Sequence, residues 1–259
     1  MKRMMNVVAV AALFSAVPAV AAPVTINFTG NSQVFGSDGN ARTFSGPNGN
    51  STVKVRATAW SYDGRTVRDS FLGAYGGGLG VTSGDETGFL NTHVTDNQNR
   101  TDFILLQFDQ TVQLTSAVFN AFGIGRTTDS DATIAWGTLA GVWNQRLTFD
   151  NTNGGALASL FAGSADALGG SKSGSRNLNL GNVSGNFWLI GANFANVDGK
   201  IDGFKLGGVT LKTVAPVPEP STWAMMLAGF ALVAVAMRRA IRTSEQRFTD
   251  KVRRIAVSG

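Results

Sequence analysis

The sequence predicts a mainly β domain folded as a single sandwich or jelly roll, and three observations lead there. Short runs alternate apolar and polar residues, which puts every second side chain on one face of a strand. The 32 glycines gather beside Asn, Asp and Ser between those runs, as turn residues do. Only one interior stretch has a helical composition, and no repeat with a period of about 20–50 residues is present. Many short strands divided by turn signals are the pattern of a two-layer β fold.

The elements follow in order. Residues 24–29 (VTINFT) place Val24, Ile26 and Phe28 on one face. Residues 30–50 are rich in Gly, Asn and Ser and predict a long loop. Val53, Val55, Ala57 and Ala59 then alternate with Lys54, Arg56, Thr58 and Trp60. Trp60 therefore faces away from that apolar set, either exposed or covered by a loop. Residues 102–109 (DFILLQFD) read as a buried strand, and 111–122 follow closely with Val112, Leu114 and Val118 alternating. Further strands are expected at 132–139, 186–194 and 208–214, and a helix at 155–168.

The two ends read differently. Lys2 and Arg3 precede an apolar run at 7–17 that is too short to span a bilayer, and Ala19-Val20-Ala21 supplies a small-x-small cleavage pattern. This is the layout of an export signal cut after Ala21. Near the other end stand Pro218-Glu219-Pro220, an apolar run from Trp223 to Met237 that includes Gly229, and then Arg238-Arg239. Proline lacks an N–H and restrains its predecessor, so the Pro-Glu-Pro element is expected to be extended and accessible ahead of a helix. The run is 15 residues long, against the roughly 20 that span a bilayer comfortably. Cations that follow an apolar helix stay on the cytoplasmic side, which puts the β domain outside that membrane. The expected organisation is a signal peptide at 1–21, a β-sandwich ectodomain at 22–213, a linker at 214–222, a transmembrane helix with its arginine stop at 223–240 and a basic cytoplasmic tail at 241–259.

The net charge of +5 misrepresents the domain. Between Ala22 and Thr222 lie 13 Lys+Arg and 15 Asp+Glu, so the mature part is slightly acidic. No basic surface is left for nucleic acid, whose binding depends on phosphate neutralisation. The chain has no cysteine, which excludes disulfides, thiol catalysis and Cys-ligated zinc.

The chemistry of the β domain is sparse. His93 is the only histidine and has no Gly-x-Ser-x-Gly elbow to serve, so it reads as a surface or turn residue. The acidic residues are almost all Asp beside turns, and sequence does not establish the carboxylate spacing of a glycosidase. Calcium is the better chemical expectation, because it collects carboxylate and carbonyl oxygens from loops. Asp129 and Asp131 sit two apart, and Asp198 and Asp202 flank a glycine turn. A structural calcium held by these four is the candidate metal site. Trp60, Tyr62, Tyr75, Trp136, Trp143 and Trp188 are the aromatics with faces suited to stacking on sugar rings, although core packing is the ordinary role of such residues.

Pro218-Glu219-Pro220, Ser221 to Met226, Gly229-Phe230 and Arg238-Arg239 together resemble the PEP-CTERM sorting signal. The resemblance implies a Gram-negative bacterium that makes extracellular polysaccharide. It also implies an exosortase as a transient partner, the inner membrane as the site before processing, and cleavage at or near Pro-Glu-Pro. The chain departs from the pattern by continuing to Gly259 with Arg242, Arg247, Lys251, Arg253 and Arg254. Residues 78–108, Asp129-Ser130-Asp131 and 198–206 also resemble stretches of exosortase-dependent surface proteins. The implied function is an exported, non-enzymatic surface or matrix protein associated with exopolysaccharide or envelope. The alternative is a carbohydrate-binding or carbohydrate-active β-sandwich with the same address.

Overall fold

One long strand, Thr101–Ala121, organises the β architecture. The computed structural model describes residues 22–29, 39–49, 51–84, 86, 93–214 and 220–257. They fall into two compact units, Met1–Val214 and Ala215–Gly259, taken separately below.

In the first unit the strands are β1 (Val24–Asn27), β2 (Ala41–Asn48), β3 (Ser51–Tyr62), β4 (Val67–Asp69), β5 (Phe71–Tyr75), β6 (Gly78–Thr82), β7 (Thr95–Asp96) and β8 (Thr101–Ala121). After them come β9 (Gly123–Ile124), β10 (Thr127–Thr128), β11 (Ala132–Gly137), helix α1 (Gly154–Ala158), β12 (Phe161–Ala167), β13 (Gly174–Asn177), β14 (Gly185–Ala192) and β15 (Gly203–Thr213). Helix α2 (Pro220–Val257) makes up the described part of the second unit.

β8 runs through both halves of one continuous 13-stranded sheet, and the two halves pair with different strands. Its first half pairs with β3 on one side, from Val55↔Phe108 to Tyr62↔Thr101, and with β14 on the other, from Phe187↔Gln107 to Gly191↔Phe103. That half runs β2–β3–β8–β14–β11–β12, with β4 also on β3. The second half of β8 pairs with β13 and β15, and β1, β6 and β7 lie along the far edge of β15. The change between halves falls at residues 108–111, where β14 jumps from Phe187↔Gln107 to Gly185↔Val112. Further on, Thr210↔Ser116 is followed by Leu211↔Leu114, which leaves Thr115 as a bulge residue that bends the strand again. A strand that bends from one layer into the other is a corner of a two-layer β fold.

Side-chain alternation follows from this. In the first half of β8, Asp102 to Phe108 are all buried because both faces are covered. Ile104, Leu106 and Phe108 join Val55, Trp188 and Ile190 in a core shared with Phe119, Phe204 and Leu211 of the other half. On the opposite face Trp60, Phe103, Leu105, Phe187 and Leu189 form a second cluster. The excursion between β11 and β12 roofs it with Leu147, Phe149, Leu157 and Leu160, and Phe149 meets Trp60 edge-on at 5.5 Å. Trp60 is thus loop-covered and only 2% exposed.

Three expectations need correction. The second part of the 30–50 loop is strand β2, fully paired with β3 from Ala41↔Thr58 to Asn48↔Ser51. Phe44 packs against Phe28 with ring centroids 4.9 Å apart, and the Arg42 Nε donates to the Leu72 carbonyl at 2.8 Å. The strands at 102–109 and 111–122 are one strand, bent where the apolar run lapses. The helix at 155–168 shrinks to the five residues of α1, capped by the Asn153 side chain accepting from the Ala156 N–H. The remainder is β12, paired with β11, and Gly163 lies so close to the Trp136 ring that an added Cβ would sit 2.6 Å from it.

Candidate functional sites: an apolar helix and an acidic loop cluster

α2 opens at Pro220, a position where proline costs no hydrogen bond because the first helical N–H groups have no partner. Pro220 is therefore helical rather than extended. Pro218, Glu219, Ala19 and Ala21 lie outside the described residues. Trp223 falls in the first turn of α2, and the helix passes Gly229, Arg238 and Arg239 without a break. Its 38 residues give a length of about 57 Å. Ala224–Ala256 is the one described helix long and apolar enough to cross a membrane, and none of it is buried in protein. Met225, Phe230 and Leu232 are each more than 60% exposed. A helix that is apolar all round and has no protein cover finds its partner in lipid.

Three of the four aspartates expected to act together, Asp129, Asp131 and Asp198, come together, and Asp202 lies near enough to feel their charge. Asp129 and Asp131 stand between β10 and β11, and Asp198 and Asp202 in the β14–β15 connection. The Asn193 Oδ1 accepts from the Ala195 and Asn196 N–H groups at 2.8 Å, and Asp198 Oδ1 from the Lys200 N–H at 3.0 Å. These local turns fold the second loop back. One carboxylate oxygen from each of Asp129, Asp131 and Asp198 lies within 4.8 Å of the others. Lys200 Nζ reaches Asp198 at 2.7 Å and Asp129 at 3.4 Å. Asp202 is 1% exposed. Its Oδ2 accepts from Asn97 Nδ2 at 2.6 Å, and its Oδ1 is buried with no hydrogen-bond partner.

The electrostatics follow the geometry. Burial, then the negative charges of Asp129 and Asp131, push the Asp202 carboxyl up to about 7, against the Asn97 hydrogen bond. The Lys200 hydrogen bonds hold Asp198 below the usual carboxylate range, and Asp198 in turn holds Lys200 above its own. Burial lowers Arg176, which donates to the Ser130 carbonyl at 2.9 Å and to the Ala167 carbonyl at 2.5 Å.

A second acidic trio, Glu86, Asp96 and Asp102, also brings three oxygens within 4.8 Å. Sequence alone does not group them, because Glu86 comes from the segment after β6 and meets Asp96 of β7 and Asp102 of β8 only in the fold. Each member has other partners: the Ser83 N–H donates to Glu86 Oε2 at 2.7 Å and the Gln98 N–H to Asp96 Oδ1 at 2.8 Å. His93 Nδ1 is 2.7 Å from Thr82 Oγ1, and its ring lies 5.2 Å from Tyr75. Burial, and secondarily Lys205, keep its pKa low. Trp60 and Trp188 are buried and offer no face to a sugar. A cavity of about 340 Å³ on the outer face of the first half of the sheet is lined by Tyr62, Leu157, Phe161, Leu189 and Phe194.

The family model described as the PEP-CTERM protein-sorting motif matches residues 216–240. No curated protein and no solved structure matches the chain. The matched segment is the linker and first half of α2, where the apolar, uncovered surface lies. The chain carries the PEP-CTERM protein-sorting motif and is an exported, membrane-anchored protein that this motif addresses to an exosortase and the cell surface.

Proposed function

We propose that the β unit is a non-enzymatic surface or extracellular-matrix domain. It is exported by a signal peptide cut after Ala21, held by α2, and cut by an exosortase at Pro218-Glu219-Pro220. It then stays with exopolysaccharide or envelope. The observation that carries this reading is the sorting motif laid over a helix with no protein cover. The only histidine supports it too, since His93 Nδ1 already lies at hydrogen-bond distance from Thr82 Oγ1. One feature favours the alternative of a carbohydrate-binding domain. Tyr62 and Phe194 stack at 6.3 Å on the rim of the apolar cavity, where a sugar's C–H face fits.

The test uses the processed protein recovered from a polysaccharide-producing host. It should co-fractionate with the polymer, move to the free pool in a polymer-deficient strain, and release no reducing ends from any glycan. Turnover of a polysaccharide would overturn the non-enzymatic reading. Saturable binding to a defined glycan, abolished by Tyr62→Ala, would replace it with the lectin reading.

A further inference from the structure

The Asp129, Asp131, Asp198 and Asp202 cluster has the construction of a cation site. Each carboxylate is held by one oxygen and leaves the other for a second partner. Asp131 Oδ1 accepts from the Gly169 and Gly170 N–H groups at 2.5 and 2.9 Å. Asp129 Oδ1 accepts from the Ser130 N–H at 2.8 Å, and Asp198 Oδ1 from the Lys200 N–H at 3.0 Å. Fixing a ligand by its outer oxygen is how second-shell contacts orient a metal site. Two of the remaining oxygens, Asp129 Oδ2 and Asp198 Oδ2, already converge on a cation, the Lys200 ammonium.

Asp202 supplies the independent observation. Its side chain is buried, Asn97 holds Oδ2, and Oδ1 has no donor at all. Lys200 makes no bond to it. A buried carboxylate oxygen beside three other carboxylates is costly unless a cation meets it. Four carboxylates face two cations, Lys200 and Arg176, and the Arg176 guanidinium is committed to backbone carbonyls.

We propose that Asp129, Asp131, Asp198 and Asp202 bind a structural Ca²⁺ that joins the loop before β11 to the loop before β15. All donors are oxygens on two irregular loops, which suits the flexible coordination of Ca²⁺ better than the strict octahedron of Mg²⁺. The absence of thiolate and imidazole from the cluster disfavours zinc and copper. The ion displaces the Lys200 ammonium, whose side chain is 53% exposed and free to swing outward. A cavity of about 480 Å³ lined by Asp131, Gly169, Gly170, Lys172 and Arg176 borders the Asp131 side of the cluster.

The probe is CaCl₂ alone, titrated into the full-length chain in detergent after removal of divalent ions, with heat of binding and melting temperature as readouts. The expected result is one saturable site with a dissociation constant of about 10⁻⁴–10⁻³ M or tighter, a higher melting temperature, and weak competition by MgCl₂. Asp202→Asn and Asp131→Asn should each weaken binding by about tenfold or more. Lys200→Gln, an exposed substitution, should strengthen it by removing the competing cation. No saturable response up to about 10 mM Ca²⁺, well beyond the weakest extracellular sites, would overturn the proposal. So would unchanged affinity in Asp202→Asn. If Asp202→Asn does not fold, unchanged affinity in Lys200→Gln and Asp131→Asn overturns it equally.

Discussion

Asp202 shows how much one side chain couples the loops to solution conditions. In the folded, metal-free chain its carboxyl ionises near 7, against an ordinary value of 3.8. The raised value fixes the sign: the group's contribution to stability is fully present below 3.8 and lost as pH rises through about 7. The groups that face it are Asp129, Asp131, Asp198 and Asn97, with Lys200 bridging the first and third. The metal-free melting temperature should therefore fall between about pH 4 and pH 7, and the fall should flatten in Asp202→Asn. A pH-independent melting curve across that window would contradict the assignment. Trp60 carries a different kind of weight. It is buried against Phe149, and its Nε1 donates to Thr58 Oγ1 at 2.9 Å. Trp60→Ala should cost about 3–5 kcal/mol in denaturant unfolding. Sequence already paired Asp129 with Asp131 and Asp198 with Asp202, because their spacing beside turns is local. The Asn97–Asp202 hydrogen bond spans 105 residues, and no local pattern encodes it.

At the scale of elements, legibility tracked the clarity of alternation. β1, β3, β11, β14 and β15 were readable because one face of each is apolar or the whole run is. β2 was not, since its inward positions are Arg42, Phe44 and Gly46, and Gly46 is there because β1 lies against it. β12 was misread as helix: its Ala-rich sequence has good helix propensity, and pairing with β11 overrides it. The roof between β11 and β12 decides between the two alternatives the sequence leaves for Trp60, exposure or a covering loop. Its role gives a direct prediction. Phe149→Ala should open the second cluster, red-shift tryptophan emission and cost about 1–3 kcal/mol, less than a fully buried phenylalanine. Unchanged emission would mean that the roof does not shield Trp60.

At the scale of the whole molecule the charge is partitioned by destination. The mature domain is slightly acidic, and the cations cluster from Arg238 onward, where only Glu245 and Asp250 oppose them. Positive residues after an apolar helix set its orientation. Replacing Arg238 and Arg239 by Glu should therefore reduce correct insertion, read as loss of protease accessibility of the β unit in spheroplasts. Equal accessibility in the variant would shift that role to the five cations further along α2. The sorting motif was the most legible part of the chain, because its order of proline, apolar run and arginines is local and needs no tertiary contact. The central claim, that this motif makes the chain an exosortase substrate, is tested most directly by the mass and cell fraction of an N-terminally tagged mature protein. Wild type and Glu219→Ala would be compared in hosts with and without an exosortase. The account predicts loss of the C-terminal mass and departure from the membrane only for wild type in the host with the enzyme. A full-length, membrane-bound product in every host would contradict it and leave a tail-anchored β domain.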